Sequence, residues 1–168
     1  MVTSEVNPCE PVRMGQETVH AAVLLEASVS PSPWTEGIFR DCLTAGYDCW
    51  VLPGDPLVGF LVIAFGSDQA HLLNLAIHPQ HQHQRLGTRL LGFALECARR
   101  QGIARVYLEV RPSNHKARQL YRSAGFDFLS CRPAYYRGAD TEDALVLSLA
   151  LDSSPPGLLS GSANGVRG

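Results

Sequence analysis

No run of about 18 consecutive apolar residues occurs in this chain, so no transmembrane helix is expected. Residues Met1 to Glu10 lack the basic and apolar regions of a secretory signal, which makes the cytoplasm the expected location. Basic residues are not in excess, with 14 Lys and Arg against 16 Asp and Glu and a formal net charge of -2. Without surplus cations to displace the counterions of a phosphate backbone, non-specific nucleic-acid binding is excluded, and any macromolecular partner is expected to be a protein. The five cysteines, Cys9, Cys42, Cys49, Cys97 and Cys131, are an odd number with no C-x-x-C pair. They indicate neither a disulfide framework nor a zinc site and read as reduced small hydrophobes or surface thiols. There is no internal repeat.

What is present is the composition of one soluble globular domain: 168 residues, 45% hydrophobic and 18% charged, enough for a single substantial core. Residues 1–15, with Pro8, Pro11 and Gly15 and no periodicity, read as a flexible leader. Residues 152–168, rich in Ser, Gly and Pro, read as a disordered tail. Between them, residues 16–151 form the domain.

Val19, Ala22, Val23, Leu25 and Glu26 suggest a first helix that stops before Ser30-Pro31-Ser32-Pro33. Thr35 then caps a second, with Ile38, Phe39, Cys42 and Leu43 on its buried face. Tyr47–Leu52, Val58–Phe65 and His71–Ile77 read as strands, joined by short polar connections of hairpin length. The rest of the chain is arranged around the turn and helix after the third strand. An apolar run stops at Pro79, a polar connector Gln80-His81-Gln82-His83-Gln84-Arg85 comes next, and Leu86, Leu90, Leu91, Ala94, Leu95 and Ala98 recur at the spacing of one helix face. A helix starting after such a turn aims its unpaired N–H groups and positive dipole end above the strand, where phosphates bind readily. On that reading Gly87 keeps a side chain from holding a pyrophosphate away from the backbone donors.

A second unit of the same kind comes after it. Ile103 to Arg111 is strand-like, Pro112-Ser113-Asn114 breaks it, and Ala117, Leu120, Tyr121 and Ala124 fall at helical spacing until Gly125 closes the helix. Phe126–Leu129, Cys131–Tyr136 and a last strand, Glu142–Leu149, complete the domain. A hairpin meander succeeded by two strand–helix units makes the sheet mixed.

Leu108-Glu109-Val110-Arg111-Pro112-Ser113-Asn114 followed by Leu120-Tyr121-Arg122-Ser123-Ala124-Gly125-Phe126 resembles the GCN5-related N-acetyltransferase (GNAT) superfamily, and within it the RimI type of ribosomal-protein alanine N-acetyltransferase. The resemblance runs from about Thr18 to Leu151 and includes Pro33-Trp34-Thr35-Glu36, the pair Tyr135-Tyr136 and the Asp143-Ala144 strand start. It implies an α/β fold with a mixed, mostly antiparallel sheet flanked by helices and splayed between its two central strands. It also implies acetyl-coenzyme A as co-substrate and direct transfer of the acetyl group to a protein N-terminal α-amine, by resemblance the N-terminal alanine of a small-subunit ribosomal protein. A small-molecule amine acetyltransferase of the same fold and a non-catalytic acyl-coenzyme A or protein-binding relative are the alternatives.

The residue roles come from the resemblance, each beside an ordinary structural use. Backbone N–H groups of His83, Gln84, Arg85, Leu86, Gly87 and Thr88 would hold the pyrophosphate, and those of Leu75, Ala76 and Ile77 would polarise the thioester carbonyl. Glu109, in an otherwise apolar strand, would be the general base; burial is expected to raise its pKa, and a partner such as Arg111 is the structural alternative. Tyr121 would protonate the departing thiolate, although a tyrosine at this spacing is usually core. Asn114 would contact the pantetheine arm or simply cap its helix. Trp34, Glu36, Tyr135 and Tyr136 would face the acceptor peptide, with Trp34 equally able to pack helices onto the sheet.

One departure stands out. The family turn usually reads Gln/Arg-x-x-Gly-x-Gly/Ala, and here Gln82-His83-Gln84-Arg85-Leu86-Gly87 puts Arg85 at the first glycine. If that position needs positive φ, Arg85 is strained; if only a missing side chain matters, Arg85 can point outward and offer charge to a phosphate. His78, His81 and His83 read as a solvated loop rather than a metal site, and no metal is assigned.

Overall fold

The computed structural model describes residues 9–138 and 140–152. Among them the order is β1 (Val12–Arg13), α1 (Val19–Val29), α2 (Glu36–Thr44), β2 (Asp48–Leu52), β3 (Gly59–Phe65), β4 (Gln69–Ile77), α3 (Leu86–Arg100), β5 (Arg105–Val110), α4 (His115–Ser123), β6 (Asp127–Tyr136) and β7 (Glu142–Ala150). The strands form one seven-stranded sheet ordered β1-β2-β3-β4-β5-β7-β6. Every neighbouring pair is antiparallel except β4 and β5, which are parallel and joined through α3, the crossover a parallel pair requires. The mixed, mostly antiparallel sheet is the one expected.

Each face carries one core. α3 buries Leu86, Leu90, Leu91, Ala94, Leu95 and Ala98, the predicted stripe, against Leu61, Ile63, Leu72, Val106 and Leu108. On the opposite face Val19, Ala22 and Leu25 of α1, with Phe39 and Cys42 of α2, pack on Val51, Phe60, Val62 and Ala76. A leucine as fully buried as Leu90 stabilises by about 1.5–3 kcal/mol. α4 belongs to the α3 side, where Tyr121 is buried and Ala117 and Leu120 partly so. No helix among the described residues is long and apolar enough to cross a membrane.

Two irregularities shape the middle of the sheet. Against β3, Val62 lies opposite Asn74 but Ile63 opposite Leu72, so Leu73 is an extra residue in β4. Residues two apart on a strand normally share a face. The bulge breaks that rule and puts Leu72 in the α3 core while Asn74 lies on the α1–α2 side, opposite Val62. The second irregularity is a fork. β4 and β5 pair only from Gln69↔Arg105 to Leu72↔Leu108. Beyond this, β4 continues along β3 to Ile77 and β5 along β7 to Val110. The predicted splay is therefore present, and main-chain groups of β4 that point toward β5 beyond Leu72 meet no strand there.

Some boundaries differ from the sequence reading. The expected leader contains an edge strand, because Val12 pairs with Val51 and Arg13 with Trp50, and Met14 is buried. The signal there was two residues long, too short for periodicity. Residues 127–136 form one irregular strand instead of two pieces, paired with β7 across two register shifts. Residues 1–8 and the expected tail from 153 onward lie outside the described residues. Gly125 ends α4 as expected, with φ of 98°.

Candidate active site

The fork opens into a groove of about 930 Å³ that runs from the start of α3, past the ends of β4 and β5, to the segment between α1 and α2. Of the residues singled out in the sequence, it brings together Trp34, Leu75, Ala76, Ile77, Glu109 and Tyr121. His83, Arg85, Leu86, Gly87, Thr88, Asn114 and Tyr136 also line it. Gln84, Glu36 and Tyr135 do not.

At one end, Pro79–His81 make a single 3-10 turn, and the chain then reaches α3 through two left-handed residues, His83 with φ of 65° and Arg85 with φ of 59°. Arg85 stands at the N-cap but does not cap with its side chain, so the first N–H groups of this 15-residue helix point into the groove without that partner. Phosphate fits such a place, since donors and dipole act together. A Cβ on Gly87 would stand 3.5 Å from Leu120 and 3.7 Å from Ile77, ordinary contact distances. Among the described residues nothing crowds a Cβ there, and the space that glycine leaves suits a ligand laid against the helix start. Gln82 braces the turn, donating from Nε2 to the Ile77 carbonyl at 3.2 Å while its Oε1 accepts from Lys116 at the same distance.

The first glycine position does take positive φ, so Arg85 holds a left-handed backbone there. Replacing Arg85 by glycine relieves a backbone cost of about 1–2 kcal/mol, offset in part by the greater freedom of glycine in the unfolded chain. Arg85→Gly is expected to raise the melting temperature and to keep or improve coenzyme A affinity. A large loss of affinity by calorimetry would show instead that the guanidinium holds a phosphate.

Glu109 and Tyr121 come from opposite sides of the fork. β5 turns Val106, Leu108 and Val110 into the α3 core, so Glu109 projects on the α1–α2 side, whereas Tyr121 descends from α4 on the other. The carboxylate is hydrogen-bonded through Oε2 to His71 Nε2, and Oε1 lies 3.4 Å from Arg132 Nη1. Burial pushes its pKa up, but the hydrogen bond and charge of His71, with Arg132, outweigh burial and hold it below the ordinary 4.5. The expectation of a raised pKa is thus corrected, because partners from β4 and β6 converge on a group that the sequence shows only among apolar neighbours. Nor is Arg111 its partner: that guanidinium lies 4.1 Å over the Tyr136 ring and donates to Ser32 Oγ at 3.0 Å. Tyr121 is pushed up to about 12 by burial and so keeps its proton at neutral pH; its ring packs edge-on against Phe126. Asn114 caps α4, accepting from Ala117 N at 3.2 Å, at the groove edge.

At the far end Trp34 lines the groove and also packs edge-on against Phe39. Glu36 does not reach the groove. It sits in the first turn of α2 and accepts from Arg40 Nε at 2.9 Å, a helix-start acid with an i,i+4 partner. Tyr135 is exposed, edge-on to Tyr136, which does line the groove. His78 Nδ1 accepts from Gln80 N, and among the described residues no cluster of His, Cys, Asp and Glu is placed to hold a metal ion.

Sequence reading missed Glu26, only 3% exposed and lining the groove. Its Oε1 accepts from Trp34 N at 3.2 Å, and it also bonds the Asn74 side chain, so it ties the α1–α2 segment to β4. An acid on the apolar stripe of α1 was the available signal. Burial raises its pKa despite those donors. The folded state therefore binds a proton that the unfolded chain releases near pH 4.5, and stability falls as pH rises from there through the folded value. Glu26→Gln is expected to flatten that fall as pH rises above about 4.5; thermal melts with identical slopes in both proteins would contradict it.

Comparison with known proteins agrees with this geometry. The family model described as "Acetyltransferase (GNAT) family" matches residues 19–126. The [ribosomal protein bS18]-alanine N-acetyltransferase of Escherichia coli K12 is 32% identical over 133 residues, covering 78% of this chain and 90% of that protein. The crystal structure of the Escherichia coli ribosomal-protein-S18-alanine N-acetyltransferase superposes with a TM-score of 0.79 at 30% identity, over 89% of this chain and 97% of that one. Arabidopsis thaliana Naa50, solved with a bisubstrate analogue of coenzyme A and a peptide, shares the fold with a TM-score of 0.75 at 18% identity, over 84% of this chain and 98% of that one.

Proposed function

The chain belongs to the GNAT family and is an acetyl-coenzyme A-dependent N-acetyltransferase, and from that premise we propose that its acceptor is the α-amine of a protein N-terminus, foremost the N-terminal alanine of a small-subunit ribosomal protein. The observation that carries this reading is the continuation of the groove beyond the fork, past Glu109, to a far end walled by Trp34 and Tyr136. That length leaves room for an extended peptide on the Glu109 side while the thioester lies across the fork. The relative whose name specifies ribosomal protein bS18 alanine supports the choice of acceptor.

In this reading the start of α3, with Gly87, holds the diphosphate, and Asn114 meets the pantetheine arm. N–H groups of β4 from Leu75 to Ile77 point at the carbonyl where negative charge develops. Glu109 takes the proton of the incoming ammonium, since only the neutral amine attacks. Tyr121, on the other side of the sulfur, gives its proton to the departing thiolate.

Incubation with acetyl-coenzyme A and a panel of acceptors tests the proposal: peptides beginning with Ala, Ser or Met, the same peptides blocked at the N-terminus, and small polyamines and aminoglycosides. Thiol release with Ala-initiated peptides, and an acetyl group mapped to the α-nitrogen by mass spectrometry, is the expected result. Release with small amines alone makes the chain a small-molecule enzyme, and no release with any acceptor makes it a binding relative.

A further inference from the structure

Glu109 stands between two environments. Its side chain is 8% exposed and lines the groove, while the His71 ring behind it is not part of the groove and is 37% exposed at the surface. The two come from the strands that fork. His71 is paired with Tyr107, and Glu109 is the next residue on the same face of β5, so the imidazole of β4 reaches diagonally to the carboxylate just where the strands begin to part. Nε2 meets Oε2. The other ring nitrogen belongs to a side chain with access to solvent.

We propose that His71 is a positioning residue and proton outlet for Glu109: it orients the carboxylate by its Nε2···Oε2 hydrogen bond and carries the proton of the acceptor amine from the groove to water. This rests on the reading of Glu109 as base. In the forward step an N–H bond of the ammonium breaks and an O–H bond to Glu109 forms. With the ring in its Nδ1–H tautomer, which leaves Nε2 unprotonated, the Oε2 proton then passes to His71 Nε2, making an imidazolium and restoring the carboxylate. The Nδ1 proton leaves to water, which returns a neutral imidazole with its proton on Nε2. A tautomer exchange through water then readies the ring for the next turnover. No oxidant or further reactant is needed.

Such an outlet answers a difficulty in the geometry. A carboxylate held low by its partners cannot keep a proton at neutral pH, and imidazole is the side chain suited to receiving it there. The other charged or titratable groups facing Glu109 come from β6: Arg132, Tyr135 and Tyr136. Arg132 offers N–H donors but no acceptor atom, and burial pushes both tyrosines up, so neither receives a proton as a carboxylate would shed it. His71 alone among these neighbours bonds the carboxylate through one ring nitrogen and carries a second on a side chain open to solvent.

The test is steady-state acetylation of an Ala-initiated peptide across pH by the wild type, His71→Ala and His71→Gln, each with and without free imidazole, after thermal melts establish that each variant folds. Expected are a kcat lowered at least about tenfold in both variants, a nearly unchanged KM for acetyl-coenzyme A, an altered pH profile, and partial recovery of His71→Ala by imidazole. Glutamine keeps a hydrogen bond to Oε2 but cannot take a proton. Full activity in His71→Gln, or a His71→Ala defect that imidazole and pH leave untouched, would reduce His71 to a structural neighbour. Glu109→Gln in parallel separates the two readings: undiminished turnover there removes the base itself, whereas loss there with normal His71 variants removes only the outlet.

Discussion

Glu109→Gln is expected to lower kcat by about 10²- to 10⁴-fold, the range over which a positioned base accelerates proton transfer, with coenzyme A binding little changed. Glutamine keeps the size of the side chain and a carbonyl oxygen for Arg132, but it cannot accept the ammonium proton. The carboxylate lies beside the fork and the start of α3, proposed to hold the diphosphate, at the other end of the groove, so calorimetry with coenzyme A should not register the change. The pairs that hold Glu109 below 4.5 also predict a stability effect. A depressed folded pKa contributes stability that is present above the unfolded value and lost as pH falls through the folded one. The variant should therefore be less stable than wild type at neutral pH, with the difference closing in acid. Unchanged turnover in a folded variant would remove Glu109 from the mechanism.

Tyr121→Phe is expected to cost about 10²-fold or more in kcat, again with the carrier still bound. Phenylalanine preserves the edge-on packing against Phe126, so the fold survives and the missing hydroxyl is what is measured. Because burial pushes the phenol up to about 12, it is protonated throughout the neutral range and needs no activation to act as an acid. The defect should shrink with an acetyl donor whose thiol is more acidic, because such a leaving group departs without help. A constant defect across donors, or none, would return Tyr121 to the core.

What the chain disclosed before folding was mostly local. The stripe from Leu86 to Ala98, the Thr35 and Asn114 caps, and the two strand–turn–helix units depend on residues within a few positions of each other, and all are where the spacing puts them. The pairing of Val12 with Val51 and the extra residue Leu73 depend on a partner strand far along the chain, and no periodicity in either segment announces them. The same division holds at the groove. Gly87 and Glu109 were recognisable from motif and strand composition, but the partners of Glu109 were not. Sequence proximity favoured Arg111, two residues along the same face, while the register delivers His71 and Arg132 from neighbouring elements. Glu36 was misplaced for a related reason: an acid after a capping threonine satisfies its own helix start before it faces any ligand. Glu26 was read only as part of the first helix, because a carboxylate on an apolar stripe becomes significant only once Trp34 and Asn74 are seen beside it.

The short run of pairing between β4 and β5 has a mechanical side. Among the described residues, four ladder pairs join one half-sheet, β1 to β4, to the other, β5 to β7. Past the seam, the halves are held together by the helices laid over them. Anything lodged in the opening fastens one half to the other like a stitch above a tear, so amide exchange along Leu73–Ile77 should slow when the carrier is present, and most of all where the strands stand apart.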